Sequence, residues 1–100
     1  QAKSEKVFRQ VSSALNTHIS NMNGDTINFE DKIAEAKENL TLVRYNKGEF
    51  VVNRDQYIRD LLSAKNALTE AEEALEKHQA KLDFLKGELK QHETDVTVND

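Results

Sequence analysis

The chain has no proline, no cysteine and no tryptophan, and it has three glycines in 100 residues. Each absence removes a class of answer. With so little proline and glycine, the punctuation of a loop-rich or β-rich fold is missing. Without cysteine, neither a disulfide framework nor a thiolate metal site can be built. No apolar run approaches the roughly 18 residues of a membrane span, and the N-terminus lacks the apolar stretch of a signal peptide. Charge of one sign is not gathered anywhere: 14 Lys and Arg are interleaved with 18 Asp and Glu, for a net charge of −4. A duplex-DNA binder would carry a basic stripe and a nucleic-acid mimic a dense acidic one, so no nucleic-acid partner is expected.

What remains is a chain that is 37% hydrophobic and 32% charged, with Ala and Leu making up just over half of the hydrophobic residues. That balance favours long, solvated helices over a thick core, and a single small domain of this kind is marginally stable by itself. The chain starts at Gln1 in place of an initiating methionine, which suggests a processed form or a piece of a longer protein.

The clearest periodic signal follows Asn53, where Leu61, Leu68, Leu75, Leu82 and Leu89 recur every seven residues. With Tyr57, Ala64, Ala71, His78 and Leu85 between them, these positions form one seam of a long helix, narrow and alanine-rich in its middle. Asn53 followed by Gln56 resembles a capping box that starts this helix. A second seam lies upstream in Phe8, Val11, Leu15, His18, Met22, Phe29, Ile33, Ala36, Leu40 and Val43. It crosses Asn23-Gly24-Asp25, the strongest turn signal in the sequence, so the first arm is either continuous with a kink at Gly24 or split into two short helices. Asn28 would cap a restarted helix after such a break.

The spacing predicts an all-α fold: a long antiparallel coiled-coil hairpin, with a three-helix arrangement as the alternative. Arm one covers 4–43, the tip 44–52, arm two 53–92 and a tail 93–100; the arms are equal in length. In this hairpin Phe8 faces Leu89, Val11 faces Leu85, His18 faces His78 and Met22 faces Leu75, every pair of numbers summing to 96 or 97. The three-helix fold would leave Leu82, Leu85 and Leu89 without cover inside the chain and would demand a dimer. Thr94 to Val98 alternates polar and β-branched residues and reads as a short strand or tail.

Residues that carry chemistry are few. His18 and His78 make too small a set for a structural zinc site and read as a polar layer in the seam. Glu70, Glu72, Glu73 and Glu76 read as a solvated helix face, since two helices form no cleft for an acid/base pair. Asn39-Leu40-Thr41 matches a glycosylation pattern at close to chance frequency. There is no phosphate loop, nucleophile elbow or Ser-His-Asp arrangement, so neither a cofactor, a metal nor enzymatic activity is expected.

The connection reads Arg44-Tyr45-Asn46-Lys47-Gly48-Glu49-Phe50-Val51-Val52. Gly48 can supply the positive φ of a tight reversal, and Phe50, Val51 and Val52 either plug the end of the seam or form a docking surface. From Arg44 to Tyr57 the sequence resembles the hairpin tip of bacterial membrane fusion proteins, the periplasmic adaptor subunits of tripartite efflux pumps and type I secretion systems. The following helix, with Ala64, Ala67, Leu68, Ala71, Ala74, Leu75, Ala80 and Leu82, is similar to the second arm of those hairpins. The resemblance covers roughly Ala34 to Leu89. It implies a periplasmic location, a membrane anchor outside this chain, and two partners: an outer-membrane channel at the tip and an inner-membrane transporter. It also implies self-association around the pump. By position, Arg44 would be the family's tip arginine and Asn53 would stand at its cap serine, while Gly48 occupies the place of its tip leucine. The expected partner-binding residues are Arg44, Tyr45, Lys47, Gly48, Phe50 and Asn53. The alternatives are a generic coiled-coil interaction arm and a self-associating four-helix bundle.

Overall fold

In the computed structural model the chain forms two helices, α1 (Ala2–Tyr45) and α2 (Arg54–Asn99). The structure describes the backbone of residues 2–45 and 54–99 and the side chains of residues 5–45 and 54–95. All of the described backbone is helical, which makes the fold an all-α helical hairpin. Several boundaries differ from the sequence reading. Both helices overrun their expected ends, and Thr94 to Val98 continues α2 where a short strand or a tail was expected. Thr94 donates its hydroxyl to the Lys90 carbonyl at 2.9 Å and Gln91 donates to Asp95 at 2.8 Å, so the helix surface is knitted as far as the side chains are described. Neither a break at Gly24 nor the three-helix alternative is present, because α1 runs uninterrupted through Asn23-Gly24-Asp25.

The helices divide into two units, residues 1–26 with 77–100, and residues 27–76. Within the first unit, α1 turns Phe8, Ser12, Leu15, Ile19, Met22 and Thr26 inward, in unbroken steps of four and three. Facing them, α2 supplies His78, Leu82, Leu85, Leu89 and His92. The second unit continues the same alternation with Phe29, Ile33, Ala36, Leu40 and Val43 against Tyr57, Leu61, Ala64, Leu68, Ala71 and Leu75. These steps keep one stripe of each helix on one side.

The α1 seam corrects the sequence reading at two places. Val11 is 38% exposed and His18 is exposed, while Ser12 and Ile19 take the inward positions. The apolar-only reading stepped three then four from Phe8 and carried the seam across Gly24 in the same register; the helix steps four then three, with polar Ser12 and Thr26 on its inward face. The other expected seam residues, Phe8, Leu15, Met22, Phe29, Ile33, Leu40, Leu61, Leu68, Leu75, Leu82, Leu85 and Leu89, are buried or half-buried. The resulting core is thin. Ile19, Leu40, Ala64 and Leu82 are its buried apolar members among the described residues, joined by the imidazole of His78. Burial of a large apolar side chain stabilises by about 1.5–3 kcal/mol at most, so a seam this shallow is easily perturbed.

Candidate functional site

Of the expected tip residues, Arg44 and Tyr45 are described. Both are exposed, Tyr45 at 74%, on the last turn of α1. Arg44 complements the negative end of the helix dipole there. One residue back, Val43 is half-buried, and Leu40 is buried one turn earlier. On α2, Arg59 donates to the Gln56 side-chain oxygen at 2.9 Å and Gln56 donates to Asp60 at 2.8 Å, an exposed chain along the first turns. Lys47, Gly48, Phe50 and Asn53 lie outside the described residues, as does the Asn53 half of the capping box.

The first unit holds the most developed polar chemistry. His78 is buried, and its Nε2 lies 2.8 Å from the Met22 carbonyl oxygen and 2.9 Å from Thr26 Oγ1. The Thr26 hydroxyl donates to the same carbonyl at 3.1 Å. A carbonyl can only accept, so Nε2 carries the hydrogen and donates to Met22, with Thr26 Oγ1 as its second acceptor. Three polar groups from two helices thereby close a triangle. It straddles Asn23-Gly24-Asp25, the segment whose composition favours a turn.

Two heptads away the same parts recur. His92 Nε2 donates to the Phe8 carbonyl at 3.2 Å, and its ring stacks on the Phe8 ring with centroids 4.6 Å apart and planes inclined by 22°. Ser12 follows Phe8 by four residues, as Thr26 follows Met22, but its buried hydroxyl finds no hydrogen-bond partner. Phe8 with His92 and Met22 with His78 each sum to 100 in residue number, against 96 or 97 in the sequence reading. The cross-helix contacts are thus displaced by about one helical turn from the expected register.

The expected pairing of His18 with His78 is therefore not formed: His18 is exposed and His78 bonds to Met22 and Thr26. Sequence reasoning missed Ser12, Ile19, Thr26 and His92. A signal was present, since Ser12 and Thr26 are two heptads apart and so are His78 and His92. The four glutamates of α2, Glu70, Glu72, Glu73 and Glu76, are exposed as expected. Among the described residues no three His, Cys, Asp or Glu side chains are grouped to hold a metal ion, and no helix is long and apolar enough to cross a membrane. The chain matches no family model, no curated protein and no solved structure.

Proposed function

We propose that this chain is a non-enzymatic interaction arm, a helical hairpin that presents the segment between its helices to a protein partner. The observation that carries this reading is the contrast at the end of α1: Leu40 is buried, whereas Arg44 and Tyr45 on the last turn stand in solvent. A guanidinium beside an exposed phenol offers directional hydrogen bonds and an aromatic face, the residue types enriched in binding hot spots. The tip sequence from Arg44 to Tyr57, through its resemblance to membrane fusion proteins, makes the partner an outer-membrane channel and the setting the periplasm, with an inner-membrane transporter alongside and the anchor outside this chain. Arg44, Tyr45, Lys47, Gly48, Phe50 and Asn53 are then the docking residues.

The test is the double substitution Arg44→Ala with Phe50→Ala in the protein that carries this chain. Efflux or secretion should be lost while helix content by circular dichroism is unchanged. Full transport by the double variant would rule the tip out as a docking element.

A second reading, self-association through the helix sides, is favoured by a different observation: large apolar side chains stand exposed away from the tip, Phe84 foremost.

A further inference from the structure

Phe84 is 66% exposed in the middle of a helix whose inward face is already occupied by Leu82 and Leu85. Nothing in the seam needs it. Three residues on, Gly87 stands inside the same helix, where glycine is less favourable than alanine by about 1 kcal/mol. A methyl group at Gly87 would meet no atom within 4 Å, so no close approach inside the chain accounts for the missing side chain. Ala80, one turn before Phe84, is also small and exposed. The outer side of α2 thus carries a large apolar knob flanked on both sides by vacant helix surface.

The charges around the knob have their own symmetry. Lys81 and Glu88, both exposed, bracket Phe84 at three residues before and four after. When two such helices lie antiparallel about a two-fold axis near Phe84, Lys81 of each copy comes over Glu88 of the other, twice. Within two residues of the same register, Phe84 of each copy falls over the other's Gly87. A parallel arrangement would instead set Lys81 against Lys81 and Glu88 against Glu88. The surface is complementary to itself in charge and in shape, in one orientation.

We propose that the face of α2 formed by Ala80, Lys81, Phe84, Gly87 and Glu88 is the contact by which two copies of this chain pair antiparallel, α2 against α2. A closed two-fold contact of this kind is self-limiting. The apolar patch is small beside a standard interface, so the pairing is weak and belongs to the micromolar range or above. It uses no tip residue, and its failure would leave the proposed tip docking untouched.

Sedimentation equilibrium of the chain from about 10 µM to about 1 mM covers that range. The expected result is a monomer–dimer equilibrium that Phe84→Ser weakens by about tenfold or more. Gly87→Leu should abolish pairing while helix content is kept or raised. Lys81→Glu and Glu88→Lys should each weaken pairing several-fold, and the two together should restore it to within about twofold, because the swap reinstates both cross-copy pairs. A chain that stays monomeric throughout, self-association indifferent to Phe84, or a double charge swap no better than its single components would overturn the proposal. Circular dichroism on each variant separates loss of pairing from loss of fold.

Discussion

Around His78 the imidazole, the Thr26 hydroxyl and the Met22 carbonyl close a triangle of hydrogen bonds, whereas two heptads away His92, Ser12 and the Phe8 carbonyl leave the hydroxyl buried and alone. The two layers draw on the same side-chain types at the same spacing. They differ in two respects. Thr26 donates its hydroxyl to the carbonyl four residues back, while Ser12 makes no such bond. Next to Ser12, the His92 ring lies flat on Phe8, an aromatic contact that the Met22 layer cannot offer. A polar layer in an apolar seam is stabilising where its network closes. It is a cost where one member is left out.

Substitutions can break this contrast in order of size. His78→Ala removes a buried ring and its bonds to two partners, and should destabilise the chain by about 2–3 kcal/mol in urea unfolding. His92→Ala, at a half-buried site with one long hydrogen bond, should cost about 1 kcal/mol. An equal or larger loss at His92 would mean that stacking on Phe8, and not the closed triangle, holds the first unit together. A sharper comparison comes from one substitution made twice. Thr26→Val deletes a bonded hydroxyl and should lower stability by about 1 kcal/mol; Ser12→Val deletes an unpartnered one and should raise it by about 1 kcal/mol. The sign, read from the shift in thermal midpoint, is the result that matters, and the same sign at both positions would remove the distinction between the layers. The smallest effect is expected inside the clamped turn: Gly24→Ala, with open space for the new methyl group, should add about 0.5–1 kcal/mol. A loss there would show that the turn needs the freedom of glycine.

Much of the fold was legible in the sequence because the heptad of leucines on α2 is apolar at nearly every step. On α1 the same repeat was harder to read, since Ser12 and Thr26 stand at seam positions and an apolar count passes over them. Val11 and His18 then looked inward, and the turn signal of Asn23-Gly24-Asp25 left a kink or a break there open. Tertiary contact decides the matter: the seam carries on through Met22 and Thr26, and a single glycine in a long helix is too small a penalty to stop it. The histidine layers were out of reach for a related reason. Their partners include backbone carbonyls, which every residue has and no pattern marks, so only the matching intervals of Ser12 to Thr26 and His78 to His92 hinted at them. At the tip, Arg44 and Tyr45 are exposed, and the docking role proposed for them joins that exposure to the resemblance of the sequence.

The glycine of α1 and the triangle at His78 occupy the same turn. In an isolated helix, local opening would begin at that glycine, where the backbone gives up least by leaving the helical state. Here the opening must also tear an imidazole away from the Met22 carbonyl and a hydroxyl from both. The site of weakest propensity has become a point of tethering, so breathing of α1 is pushed away from Gly24, and the first unit is held shut at its His78 end.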